Sequence, residues 1–435
     1  MHFIKPNIVR KGENLKKKTI LSMSDHPLSP SGVGTQTKYV LEALVKTGRY
    51  RVISLGGAIK HHNYDPVSVD PYGEDWVVHP IDGYGNPEVI RSILRTERPD
   101  LIWFMTDPRF YGWLWEMEDE IRALCPMLYY HVWDNYPYPQ FNKIWYDSTD
   151  VIANISKVTH DIVTTVAPDV EAHYMPHAID PTIFCPKSQE KVEEFAAELL
   201  RPGDNWKDKT TFFWNNRNAR RKQSGSLIYW FKDFLDIVGH DQSRLIMHTD
   251  TKDPNGQDLV TIVENLGLTN GEVYFSQNKF PAEHLAFFYA MADCTVNVAD
   301  AEGFGLATLE SLSTGTPIIA TMTGGLQEQV TDGQTFFGVG LEPASKAIIG
   351  SQQVPYIYED RVCQEDVVAA LVKIHNMTDI ERAELGVQGR NHVISNYNYE
   401  DFTTKWVSLV DSVVEKYGSW ETRKHYKKWH FKEIV

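Results

Sequence analysis

Between residues 294 and 317 the chain runs through an apolar, β-branched segment, Cys294-Thr295-Val296-Asn297-Val298, and a turn holding Gly303 and Gly305. It then enters a helical pattern over 306–314 that Gly315 closes and Pro317 stops. The segment reads as a buried strand of a parallel sheet. The same grammar recurs along the chain. Strand candidates stand at 19–23, 51–55, 76–79, 101–105, 127–131, 151–155 and 171–175, then at 210–214, 244–249, 273–275, 294–298 and 317–321, mostly with helical segments between them. Alternating strands and helices build parallel sheets with ligand crevices beyond the carboxyl ends of the strands. At 435 residues the chain exceeds one ordinary core, so two such domains are expected.

Composition narrows the function classes. With 42% hydrophobic and 23% charged residues the chain reads as globular, and no apolar run reaches the ~18–20 residues that span a bilayer, so an intracellular soluble protein is expected. Cys125, Cys185, Cys294 and Cys363 are scattered without metal-type spacing and read as reduced thiols. The net charge of −15 argues against wholesale wrapping of nucleic acid. Both ends are nevertheless basic: residues 1–18 hold six Lys/Arg against one Glu, and residues 421–433 hold five against two acids. Trp420, Tyr426, Trp429 and Phe431 interleave with those C-terminal charges, a mixture that suits a tail packed on its own domain, a membrane surface or stacked bases.

Strand ends are where chemistry is expected. Gly303 and Gly305 let backbone N–H groups and a helix N-terminus approach a phosphate or sugar hydroxyl. Glu302 stands on that turn, and Glu310 lies within the helix behind it. After the strand over 210–214 comes Asn215-Asn216-Arg217-Asn218-Ala219-Arg220-Arg221-Lys222, a basic run that serves either as a solvated loop or as an anion clamp. The strand Met127-Leu128-Tyr129-Tyr130-His131 ends in an imidazole, and Trp133 and Asp134 follow. Residues 342–363 match neither period and read as an insertion or irregular loop.

Glu302 and Glu310, with Gly-Phe-Gly-Leu-Ala-Thr-Leu between them, resemble the E-x7-E signature of retaining nucleotide-sugar glycosyltransferases of family 4, the glycosyl transferases group 1. Ser313-Thr314-Gly315-Thr316-Pro317 and Gly324-Gly325-Leu326-Gln327-Glu328 are similar to the next two landmarks of that family. Ser31-Gly32-Val33-Gly34 resembles its N-terminal glycine loop, with Ser31 where the family has a glycine, and residues 176–181 resemble its interdomain crossing. The resemblance implies the GT-B fold, two Rossmann-like domains facing a central cleft. The expected division is 1–180, 181–399 and a crossing helix with basic tail over 400–435.

It also implies roles. Gly32, Gly34, Phe280, Glu302, Gly303, Phe304, Gly305, Leu306 and Glu310 would bind the donor, Glu310 through the ribose and residues 275–280 around the base. Arg217 and Lys222 would clamp the diphosphate without a metal or other cofactor, and His131 would contact the sugar. Trp133 and Asp134 fall on the acceptor side. The partners implied are a nucleotide-sugar donor and a glycan, lipid-linked or other hydroxyl acceptor, in a cytoplasmic protein that could lie at a membrane surface. Two other readings stand beside it: an enzyme acting on a nucleic-acid base or phosphorylated sugar, favoured by the basic ends, and a non-catalytic nucleotide-sugar-binding protein.

Overall fold

A computed structural model describes residues 16–427. The first sheet contains β1 (Lys18–Asp25), β2 (Tyr50–Gly57), β3 (Val67–Val69), β4 (Gly73–Pro80), β5 (Leu101–Met105), β6 (Met127–His131), β7 (Val151–Asn154) and β8 (Glu171–Tyr174). Its spatial order is β3-β4-β2-β1-β5-β6-β7-β8, parallel throughout except for β3 against β4. The second sheet contains β9 (Thr210–Asn215), β10 (Ser243–His248), β11 (Val273–Ser276), β12 (Cys294–Asn297), β13 (Ile318–Thr321) and β14 (Gly338–Leu341). It runs β11-β10-β9-β12-β13-β14, all parallel. Strand runs such as Leu-Ile-Trp-Phe-Met over 101–105 are buried at every residue, as strands with helices on both faces must be.

Each sheet reverses its direction of winding once, the first between β1 and β5 and the second between β9 and β12. Crevices open beyond the strand ends at those points. The loops after β1, β9 and β12 therefore carry the glycine and charged residues that the sequence singled out. In the first domain Ser31 caps the Gly32–Lys46 helix by accepting from the Gly34 N–H at 3.0 Å. The crossing is held by Gln36, which donates to the Ala178 carbonyl at 2.7 Å and accepts from the Ala178 N–H at 3.2 Å.

The Tyr399–Tyr417 helix packs on the first sheet: the Trp406 ring lies 4.7 Å from Tyr130 and 6.0 Å from Trp103. The chain that follows also lies against the first domain. Arg423 bonds Asp150 at 2.7 Å, with both side chains buried, and Arg122 sits 4.9 Å over the Tyr426 ring. This part of the tail thus packs its aromatics on its own domain. Trp429 and Phe431, and most of the basic leader, lie outside the described residues.

The irregular loop expected at 342–363 is instead a two-stranded antiparallel hairpin, β15 (Ser345–Ile349) with β16 (Ile357–Arg361). Its strands are only partly covered on either face, so apolar and polar residues do not alternate there.

Candidate active site

The turn after β12 is built by packing one glycine segment onto another. Gly305 has φ +92° at the start of the Leu306–Thr314 helix, a conformation that suits glycine. The Gly324–Leu326 turn, which follows β13, lies directly beneath. A Cβ on Gly324 would stand 1.9 Å from the Glu302 carbonyl oxygen, and the Gly325 N–H donates to that same oxygen at 3.0 Å. Glu302 is thus fixed by its backbone. Its neighbour Asp300 is held by its N–H on the Arg221 carbonyl (2.8 Å), by the Gln223 amide (2.7 Å) and by Arg361.

Four charges meet at this turn. Lys222 donates to the Glu302 carboxylate with both side chains largely covered, Arg221 donates to the Ala301 carbonyl, and Asp134 approaches from the first domain. Burial pushes the Asp134 carboxyl up to about 6, with Arg221 and Lys222 opposing and Glu302 adding to the rise. Burial and Arg221 bring the Lys222 ammonium down to about 8, against the pull of Glu302 and Asp134. For Glu302 burial acts upward, yet Lys222 and Arg221 together hold it below the ordinary carboxylate range. The result is a desolvated ion pair at a helix N-terminus with a second cation and a second carboxylate beside it. Such a group can exchange its internal partner for an anionic ligand.

Glu310, on the same helix, accepts from the Tyr289 hydroxyl at 2.6 Å, and burial raises its carboxyl to about 7. Gly32 faces this helix across the cleft: a Cβ there would come within 2.9 Å of Leu306 Cδ1. Gly303 is equally close to the first domain, its notional Cβ 3.2 Å from Ile155 Cδ1, 3.3 Å from the Val132 carbonyl oxygen and 3.9 Å from Asp134 Oδ2. Lys222, Glu302, Gly303, Leu306, Gly32 and Asp134 are therefore brought together from both domains.

Other sequence candidates are placed differently. Arg217 does not join Lys222; it bonds Asp253 at 2.6 Å with its side chain 64% exposed, and that bond holds the Asp253 carboxyl down at about 2. His131 does not reach the cluster either. Its ring is fully buried, with Nδ1 2.9 Å from Asn154 Oδ1 and Nε2 2.8 Å from the Tyr146 hydroxyl, and burial holds it down at about 3, so it stays neutral. Trp133 is buried among the first domain's aromatics and donates to the Asn135 carbonyl. Phe304 turns inward onto His177 and Tyr397, leaving its backbone to the turn. Gly34 lies in the first turn of the Gly32–Lys46 helix, packed on the preceding loop, where a Cβ would meet Ser29 Oγ at 2.5 Å. Phe280 stacks on His284 at 4.2 Å beyond the end of β11.

Sequence reading missed Arg221 and the charges of the hairpin. Glu359 pairs with Arg220 at 2.6 Å and with Arg361 at 3.0 Å, and Arg361 continues to Asp300. The run Arg220-Arg221-Lys222 was the visible signal. Among the described residues no group of three or more His, Cys, Asp or Glu side chains is arranged to hold a metal ion.

Two facing parallel-sheet domains with a charged, glycine-lined cleft between their switch points define the GT-B architecture. The whole-chain comparison agrees: sucrose-phosphate synthase from Thermosynechococcus elongatus superposes with a TM-score of 0.71 at 18% identity, over 92% of this chain and 100% of that one. Anabaena HepE, solved with UDP and glucose, gives a TM-score of 0.65 at 14% identity over 91% of this chain and 100% of that chain. Residues 233–348 match the family described as Glycosyl transferases group 1. The D-inositol 3-phosphate glycosyltransferase of Corynebacterium jeikeium is 27% identical over 194 residues, 43% of this chain and 45% of its own. That of Corynebacterium urealyticum is 36% identical over 77 residues, 18% of each chain. The alignments thus span less than half of these curated relatives.

Proposed function

We propose that the protein is a retaining glycosyltransferase that moves a sugar from a nucleotide diphosphate sugar to an acceptor hydroxyl, without a metal. The observation that carries this reading is the Lys222–Glu302 pair at the start of the Leu306–Thr314 helix: Glu302 and the helix lie in the stretch that matches the glycosyl transferases group 1, and the turn faces Gly32 and Asp134 of the other domain. A departing diphosphate accumulates negative charge. Lys222 and Arg221, aimed at one spot with the helix N-terminus behind them, supply fixed positive charge there. Arg217, on its exposed loop, joins them by leaving Asp253 for a phosphate oxygen. Glu302, released from Lys222 by the diphosphate, turns to the donor sugar, and Glu310 leaves Tyr289 for the ribose hydroxyls. No residue is assigned as general base, because retention at this site lets the acceptor proton pass to a phosphate oxygen.

The names of the relatives differ, D-inositol 3-phosphate glycosyltransferase for one group and sucrose-phosphate synthase for a structural neighbour, so they do not fix the acceptor here. A panel of UDP-, GDP- and ADP-sugars read by thermal stabilisation identifies the donor, since a ligand at 100 times its Kd adds ~2.7 kcal/mol. NMR of the product anomer and a rate in EDTA within a few-fold of the untreated enzyme then test retention and metal independence. Stabilisation by no nucleotide sugar, or an inverted product, overturns the reading.

A further inference from the structure

The hairpin reaches from the second domain to the first at the edge of the charged cleft. Tyr358 of β16 forms an isolated antiparallel bridge with Tyr136, its N–H donating to the Tyr136 carbonyl at 2.5 Å, and Asn135 Nδ2 donates to the Tyr358 carbonyl at 3.4 Å. Val354 and Ile357 of the hairpin pack among first-domain apolar residues. On its other side β16 is anchored beneath the catalytic turn. The Asp360 N–H donates to the Asp300 carbonyl at 2.9 Å, the Thr323 hydroxyl donates to the Asp360 carboxylate at 2.7 Å, and Arg220 and Arg361 share Glu359.

Directly opposed residues of an antiparallel bridge send their side chains to the same face. The Tyr136 and Tyr358 side chains therefore leave the bridge on one face, and each has a second tyrosine against it: Tyr138 lies 5.4 Å from Tyr136, and Tyr356 lies 6.1 Å from Tyr358. The outer two are uncovered, Tyr138 by 38% and Tyr356 by 46%. Two tyrosine pairs, one from each domain, are thus joined by the bridge into a half-open patch. Tyr136 is two residues from Asp134, at most about 7 Å of chain, so the patch begins where the charged turn ends.

We propose that these four tyrosines are an acceptor subsite that stacks the ring of an uncharged saccharide, completed only when the hairpin meets the first domain. This rests on the glycosyltransferase reading above. Tyrosine gives a rigid apolar face and a hydroxyl at small entropic cost, which suits a ring with one apolar face and a polar rim. The surroundings decide the charge of the occupant. Asp360 stands two residues from Tyr358 on β16 and so shares its face, and Tyr136 is raised first by burial and then by Tyr138, Asp161 and Asp360. A phosphorylated sugar or a nucleic acid would meet these carboxylates, whereas a neutral glycan would not.

The test uses the full chain saturated with whichever of UDP, GDP or ADP binds it best. Gluco-, manno- and galacto-configured uncharged di- to tetrasaccharides, a hexose phosphate and a single-stranded oligonucleotide are titrated by saturation-transfer NMR. At least one uncharged saccharide is expected to bind, with affinity falling tenfold or more in Tyr138→Ala and in Tyr356→Ala and largely kept in Tyr356→Phe. Calorimetric affinity for the nucleoside diphosphate reports the donor half separately. Saccharide binding equal in wild type and both alanine variants, no saccharide binding while the diphosphate binds, or preference for the phosphate or the oligonucleotide, overturns the subsite and leaves the donor reading standing. No diphosphate binding at all overturns both.

Discussion

Lys222 shows how one side chain answers to two demands. In the ligand-free chain it neutralises Glu302 in a desolvated turn; in the proposed reaction the same charge meets a leaving diphosphate. Lys222→Ala should therefore lower kcat by on the order of 10²–10³. It should also lower the melting temperature, because breaking a buried pair leaves a carboxylate uncompensated, at about 3–5 kcal/mol. Adding Glu302→Gln should restore the melting temperature without the rate. Recovery of neither would dissolve the pair as a unit, and normal turnover in the single variant would remove Lys222 from the chemistry. The two shifted groups also set a pH window. Glu310, raised to about 7 by burial, accepts ribose hydroxyls best when ionised, so donor binding should grow as pH rises through 7. Lys222, brought down to about 8, loses its charge as pH rises through 8, so the alkaline limb of kcat/KM should fall there rather than near the ordinary lysine value. Lys222→Arg keeps its charge and should move that limb upward, and an unmoved limb would assign it to another group.

Among the elements, the glycine turn and its helix were legible because a turn that needs φ > 0 announces itself with glycine, and Gly305 and Gly315 both adopt it. The parallel strands were legible as apolar runs for the same reason that they are buried. What escaped is what has no period. β14 reads Gly-Val-Gly-Leu, β3 has three residues at a sheet edge, and the hairpin is held by ion pairs and by contacts with a loop more than 200 residues away, none of which leaves a local pattern. His131 and Arg217 were readable as positions but not as orientations, since a motif fixes where a side chain starts and packing decides where it ends. The stacking of the two glycine segments gives a prediction at this scale. Gly324→Ala places a methyl against the Glu302 carbonyl, backbone on backbone, at a φ of +48°. Transfer should fall at least tenfold with the circular dichroism spectrum kept, while Gly333→Ala, where φ is also positive but nothing lies within 4 Å of the Cβ, should cost stability only. Equal activities in the two variants would show that the Glu302 backbone need not be held so closely.

At the scale of the whole molecule the two domains touch at both ends of the cleft. The crossing side is tied by Gln36 to both polar groups of Ala178, and by Ile179 bridged to Asn398. The hairpin side is tied by the Tyr136–Tyr358 bridge. Between the domains near the crossing, Glu328 reaches from the second domain to accept from the Lys157 N–H at 2.7 Å and from the Tyr174 hydroxyl at 2.7 Å. Lys157 begins a helix of the first domain, Lys157–Val166, so this carboxylate sits at the positive end of a helix dipole. Hydrogen bonds to a charged group contribute ~1.5–3 kcal/mol each, enough to hold a closed state and small enough for a ligand to overcome. Glu328→Ala should therefore shift the ligand-free protein toward an open form. Its radius of gyration by small-angle scattering should rise above that of the wild type, and donor should associate faster. Because a closed site is needed for transfer, kcat should fall while affinity for the bare nucleoside diphosphate stays near that of the wild type. A scattering curve identical to the wild type, with unchanged association rate, would mean that Glu328 does not hold the two domains together and that the other contacts between them set the closed state.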